Sequence, residues 1–281
     1  MDVFETGFFT AVPAALAGLL LGSFLNVCIY RWPLEKSVVH PRSYCPGCER
    51  GIAWFDNVPV LSYLLLKGRC RHCRVRISWR YPVVEILVSA CFAWYAARYG
   101  FTPETLRGCV FAFLLIGLTF ADLETMLLPD ELTFGGAVAG LAFSLAVPVP
   151  DSTFSLIAAS AGVEVSPRLV SLGESALGAA IPSLAMWLMG VAFEKLRHKE
   201  GLGFGDVKMI AMIGSFLGLT GTLQTVILAS LGGSICGLIW IKVANKSADT
   251  YLPFGTSLGA AALVTAMGGQ GWFWALAGGN R

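Results

Sequence analysis

Long apolar runs separated by short polar connections make up most of this chain. An α-helix crosses a bilayer with about 20 such residues. On that measure the pattern predicts eight spans: 8–29, 82–99, 106–121, 132–147, 176–193, a short one from 206 or 207 to 219, 223–241, and 254–276. The breaks carry turn residues. Gly100-Phe101-Thr102-Pro103-Glu104 reads as a turn and a helix start, Pro148 and Pro150 stop the fourth run, and Gly218 to Gly221 divides the sixth from the seventh. Gly18, Gly22 and Ser23 in the first run are small enough for close helix packing, and Asn26 needs a partner if buried. The mixed stretch 151–173 reads as an outside loop with room for a short interfacial helix.

Composition agrees with that pattern. The 281 residues are 56% hydrophobic and 14% charged, with a mean hydropathy of +0.68, which places the chain among integral membrane proteins. Charge then orients it. Of 20 Lys and Arg, ten fall between Arg31 and Arg80, against the acids Glu35, Glu49 and Asp56. By the positive-inside rule that segment is cytoplasmic, and topology explains its charge without a nucleic-acid partner. Asp2 and Glu5 precede the first run with no base beside them, which argues against a cleaved signal and puts the N-terminus outside. Alternation over eight spans then brings 31–80, 123–130, 194–205 and 242–251 to the cytoplasmic side. Lys195, Arg197, His198, Lys199, Lys242 and Lys246 fit that placement.

Within the basic segment, Pro33, Pro41, Pro46 and Pro59 prevent a long helix. Cys45-Pro-Gly-Cys48 and Cys70-Arg-His-Cys73 form two C-x-x-C pairs, 21 residues apart. Two such knuckles suit a tetrahedral structural Zn²⁺, whose binding helps fold a segment with little core. Two redox-active pairs are the alternative. Arg69, Arg71 and Arg74 are expected to lower the thiol pKa values. Cys28, Cys91, Cys109 and Cys236 lie in apolar runs and read as packing residues, and His72 reads as exposed rather than as a ligand. No H-E-x-x-H is present, no strand-to-helix nucleophile elbow appears, and the glycines from 201 to 205 follow no strand, so they are no dinucleotide fingerprint.

Two carboxylates stand at the mouths of apolar runs: Asp122, which ends the third, and Asp206, which opens the sixth between Gly203, Gly205 and Lys208. Such residues are expensive near lipid and call for a reason. The orientation above sends both to the cytoplasmic boundary, where water reaches them. Carboxylates about 3 Å apart cannot both ionise, so one keeps a proton to polarise a scissile carbonyl while the other takes a proton from water. Ordinary interfacial carboxylates are the simpler alternative, and a proton-coupled transporter is a second functional one. Glu85 reads as a partner for a loop arginine, Asp130 as an N-cap, and Lys208 as a local counter-charge.

Six blocks resemble the type IV prepilin peptidase family of GxGD-type aspartic peptidases: 22–31, 56–62, the knuckle at 67–70, 80–85, Asp122 with 128–130, and 203–208. The resemblance implies an all-α polytopic membrane protein of about eight transmembrane helices with a small cytoplasmic zinc-binding loop domain. It divides the chain into 1–30, a first helix; 31–81, the zinc domain linked to methyl transfer; and 82–281, the peptidase domain. It implies a bacterial inner-membrane enzyme that cuts the basic leader of prepilins or type II secretion pseudopilins after glycine. The new N-terminus is then methylated with S-adenosylmethionine. Carried over are Asp122 and Asp206 as catalytic, Cys45, Cys48, Cys70 and Cys73 as Zn²⁺ ligands, and Gly68 for methyl transfer.

Overall fold

The computed structural model describes residues 3–197, 203–244 and 253–269. Gly201 and Leu202, the bases His198, Lys199 and Lys246, and the end of the eighth predicted span at 270–276 lie outside the described residues. Among those described, the extended structure is confined to isolated bridges between Tyr44 and Gly51 and between Arg69 and Arg76. The chain separates into two compact units, Met1–Gly117 and Leu118–Arg281.

The first unit holds α1 (Val3–Arg31), α2 (Leu61–Leu65), α3 (Arg80–Tyr99) and most of α4 (Pro103–Thr125). α1 and α3 lie antiparallel. The Thr10 hydroxyl donates to Ala96 O at 2.8 Å, Ser89 to Ala15 O at 2.9 Å, and Asn26 Nδ2 to Tyr81 O at 3.0 Å. Small residues set this distance: a Cβ on Gly18 would stand 2.7 Å from the Ser89 Cα, and one on Gly22 2.8 Å from the Glu85 Cα. Both glycines and Asn26 thus do what their positions in the first run suggest. Gly100, at φ 69°, closes α3, and the Thr105 hydroxyl returns to Gly100 O at 2.6 Å as α4 begins.

Between α1 and α3 the prolines leave only short turns, Trp32–Leu34 and Trp54–Asn57, besides α2. Buried Arg31 organises the entry, donating to Ser37 O at 2.9 Å and Pro41 O at 2.8 Å. Glu85 meets this loop at a backbone N–H and not at the arginine expected: Oε2 accepts the Val60 N–H at 2.7 Å. Val60 sits at φ 60°, an uphill conformation for a β-branched residue, and this bond holds it there.

The second unit holds the end of α4, then α5 (Asp130–Ser144), α6 (Thr153–Ser160), α7 (Pro167–Arg197), α8 (Phe204–Ala244) and α9 (Phe254–Gly268). Its core is Leu132, Met209, Ile210, Met212, Ile213, Phe216 and Leu258, all at 2% exposure or less. α8 breaks at Gly218, whose φ of 71° and ψ of −175° are non-helical, at the position the sequence marks as a turn. Asp151 caps the restart, accepting the Thr220 N–H at 2.8 Å. α7 and α8 meet through glycine, since a Cβ on Gly178 would lie 2.5 Å from the Gly218 Cα. The Ser175 hydroxyl donates to Ser215 O at 2.6 Å in the same seam.

Two expectations need adjustment. α7 begins at Pro167, well inside the stretch read as a loop, because buried Glu174 accepts the Ser155 N–H at 3.0 Å and ties α7 to the short helix α6. Of the eight predicted spans, four helices among the described residues are long and apolar enough to cross a membrane: Gly7–Leu34, Pro103–Thr125, Pro167–Arg197 and Phe204–Trp240. α8 is one continuous helix by that measure although Gly218 divides it, and α5 and α9 are 15 residues each, α9 ending at Gly268 with Gly269 at φ 73°, short of the predicted 276. Large apolar side chains such as Phe9, Leu20, Leu188, Leu231 and Leu238 are exposed, as lipid-facing residues are.

Candidate functional site

In the first unit the two knuckles repeat one backbone form. Cys45 N–H donates to Arg50 O at 2.9 Å and Cys70 N–H to Val75 O at 2.9 Å. The residue after each second cysteine, Glu49 at φ 54° and Arg74 at φ 60°, takes the left-handed conformation that turns the chain back. The result gathers Cys45, Cys48, Cys70 and Cys73, whose sulfurs all lie within 4.8 Å of one another, so this cluster can hold a metal ion. Cys45 Sγ and Cys73 Sγ are 3.7 Å apart. A disulfide needs about 2.05 Å. The edge of a tetrahedron with metal–sulfur bonds of about 2.3 Å is about 3.8 Å, so this pair has the spacing of one edge of a Zn²⁺ site. His72 is exposed and stands outside the cluster, with Nδ1 3.4 Å from Arg50.

The cause expected to activate the thiols is not the one observed. Arg71 turns to Asp56, with bonds of 2.7 and 2.6 Å to its two oxygens, and holds that carboxyl below the usual carboxylate range. The Cys70 thiol is pulled down to about 6 by the backbone N–H groups of Cys73 and then His72, whereas Cys73 goes against the expectation and is pushed up to about 11: the Val75 N–H favours its thiolate, but burial and the neighbouring Cys45 and Cys70 sulfurs outweigh it. Gly68 opens the second knuckle at φ 65°, and a Cβ there would stand 3.0 Å from the Tyr63 hydroxyl oxygen. Its backbone bonds Tyr63 O at 2.9 Å and the Ile77 N–H at 2.8 Å. Gly68 is therefore a conformational requirement of this loop.

In the second unit, Asp122 sits one turn before the end of α4, and Asp206 lies in the first turn of α8. Gly205 lets the 123–130 connection approach, since a Cβ there would meet Leu128 Cδ1 at 3.1 Å. The Asp206 N–H closes on Gly203 O at 3.1 Å, in the turn that opens α8. Asp122 is 5% exposed and Asp206 is part-exposed.

What brings the two together is a third element. A Cβ built on Gly255, in the first turn of α9, would stand 3.0 Å from Asp122 Cγ and Oδ2 and 3.3 Å from Asp206 Oδ1. Both carboxyls therefore face one point, occupied only by glycine. The next residue holds one of them: Thr256 donates its N–H to Asp122 Oδ2 at 2.6 Å, and its Oγ1 lies 3.0 Å from the same oxygen. Sequence reasoning missed both residues. The signal was present as Pro253 followed by Gly255, Thr256 and Ser257 at the head of the last apolar run, at the same end of the spans as both aspartates.

The flanking charges are also placed. Asp130 does not cap α5, whose N-cap is Pro129. Its carboxylate instead pairs with Lys208, which also lies over the rings of Phe134 and Phe204, at 5.5 and 5.6 Å. Lys208 is thus spent on a counter-charge, as its sequence position suggests, and it links α5 to α8.

Two family models match the chain, the bacterial peptidase A24 N-terminal domain over residues 16–99 and the type IV leader peptidase family over residues 109–238. A prepilin leader peptidase/N-methyltransferase of Myxococcus xanthus is 37% identical over 237 residues, which are 84% of this chain and 65% of that protein. Its namesake in Aeromonas hydrophila is 34% identical over 279 residues, covering 91% of this chain and 89% of the relative. That of Neisseria gonorrhoeae is 35% identical over 273 residues, with 88% and 87% covered. No solved structure matches.

Proposed function

The chain belongs to the type IV leader peptidase family, and from that premise we propose that Asp122 and Asp206 cleave the leader peptide of a prepilin or pseudopilin. The same protein then methylates the amine that cleavage exposes. The observation that carries the peptidase reading is the approach of both carboxyls to Gly255. In this reading the pair holds one proton between its members. The ionised carboxylate takes a proton from water, the water oxygen bonds the scissile carbonyl carbon, and the other carboxyl gives its proton to the carbonyl oxygen. Collapse of that adduct breaks the C–N bond and sends a proton to the leaving amine. The pair titrates as a unit, so the scheme does not fix which member begins ionised.

The first unit is assigned to methyl transfer. Cys45, Cys48, Cys70 and Cys73 hold a Zn²⁺ that joins the two knuckles and stabilises a loop segment with little core. S-adenosylmethionine, when bound, supplies an electrophilic methyl group to the free amine. Gly68 acts by shaping the second knuckle and not by touching the donor, which agrees with its positive φ. We read eight crossings of a bacterial inner membrane, counting α8 twice across Gly218, with both aspartates at the cytoplasmic boundary. The concentration of basic residues in 31–80 supports that orientation. A prepilin with a basic leader and an apolar helix presents its scissile bond at that level. The proton-coupled transporter has no observation in its favour.

Mass spectrometry of a coexpressed prepilin tests both activities at once. Leader removal and a methyl added to the new N-terminus are expected, and an unprocessed prepilin would refute the reading.

A further inference from the structure

Asp122 Oδ2 takes both of its contacts from one residue. The Thr256 N–H is among the donors that the first turn of α9 leaves without a helical partner, and Asp122 satisfies it from another helix at 2.6 Å. The Thr256 hydroxyl is different, because it has two acceptors in reach. Its Oγ1 is 3.0 Å from Asp122 Oδ2 and 3.4 Å from Thr119 O, the carbonyl one turn before Asp122 on α4. A hydroxyl carries one hydrogen, so it serves one of these at a time, and its lone pairs face whichever group it does not serve.

Resting on the peptidase reading above, we propose that Thr256 is a positioning residue for leader cleavage, whose hydroxyl swivels between Asp122 and Thr119 as the Asp122 carboxyl loses and gains its proton. With the carboxylate ionised, the hydroxyl donates to Oδ2, and the N–H donates beside it. Both donors then sit on one oxygen and hold the carboxylate from that side. When a proton rests on Oδ2, the hydroxyl turns to Thr119 O and accepts that proton's hydrogen bond. No bond to carbon forms or breaks at Thr256 and no co-reactant is needed, since the hydroxyl keeps its own hydrogen throughout. The backbone N–H fixes the place of Asp122 in both states. The hydroxyl is what lets that place suit both protonation states, so its loss should slow turnover without weakening substrate binding.

The test compares Thr256→Val, which keeps the β-branch and the N–H but removes the hydroxyl, with Thr256→Ser, which keeps the hydroxyl. Asp122→Asn is run beside them on the full-length enzyme in lipid with a prepilin substrate. Methyl transfer to an already cleaved pilin reports folded enzyme. We expect kcat for cleavage to fall about 10- to 100-fold in Thr256→Val, the range for losing a hydrogen bond to a charged group. KM and methyl transfer should stay unchanged, and Thr256→Ser should restore kcat. Wild-type kcat in Thr256→Val beside an inactive Asp122→Asn would overturn this inference alone. Cleavage by Asp122→Asn would overturn the peptidase reading and this inference with it. If the valine variant loses methyl transfer as well, Thr256→Ala takes its place under the same criteria. A serine variant as slow as either would also refute the swivel.

Discussion

Gly255 and Asp122 are in such close register that a single added carbon on the glycine would stand 3.0 Å from the Asp122 Cγ. The same carbon would stand 3.3 Å from Asp206 Oδ1, so it would act on both carboxyls at once. The pair is assembled from three helices, α4, α8 and α9, and the last of these contributes an absence of side chain.

Gly255→Ala should therefore separate the carboxyls without removing either. A displacement on the scale of an ångström costs about 100-fold in a positioned reaction. Cleavage should fall by about that factor, while methyl transfer to an already cleaved pilin continues. Kinetics of both steps on one preparation checks this, and equal losses in both would point to general misfolding.

Gly68→Ala should act on the other unit. Alanine at φ 65° costs about 1 to 2 kcal/mol, and its Cβ also meets the Tyr63 hydroxyl oxygen at 3.0 Å. Methyl transfer should drop and leader cleavage should persist. Adding Tyr63→Leu, which takes away both the hydroxyl and the ring carbon Cζ that would stand 3.1 Å from the new Cβ, should recover the steric part of the loss and leave the backbone part. If the double variant gains nothing over Gly68→Ala, Tyr63 is not the obstacle.

Much of this was legible in the sequence. Cys45, Cys48, Cys70 and Cys73 announce themselves by spacing, and their sulfurs do gather within 4.8 Å. Gly18 and Gly22 mark the α1–α3 seam, and Gly218 marks the break in α8, because a missing side chain at a helix contact or a positive φ leaves a compositional trace. Asp122 and Asp206 stand out because charge at the edge of an apolar run is costly. What hydropathy missed was polar structure paid for by long-range partners. The early start of α7 depends on Glu174 reaching the Ser155 N–H, and Asp130 leaves its expected cap for Lys208 across 78 positions. Gly255 and Thr256 stayed silent because a small residue and a hydroxyl at a helix start are common, and only the fold brings Asp122 against them.

Metal removal should divide the two activities. Cys45→Ser or exhaustive chelation should lower the zinc bound per chain and impair methyl transfer more than leader cleavage, since the cluster lies in Met1–Gly117 and both aspartates in Leu118–Arg281. Elemental analysis beside the two assays checks this. Full methylation by zinc-free protein would count against the assignment.

The most direct measurement is intact-mass analysis of a prepilin coexpressed with Asp122→Asn or with Asp206→Asn, each confirmed to be inserted in the membrane. Asparagine keeps the size of the side chain and removes its ability to exchange a proton, so both variants should leave the leader attached in full. A prepilin trimmed to its mature mass by either one would contradict the claim that these two carboxyls, meeting at Gly255, perform the cut.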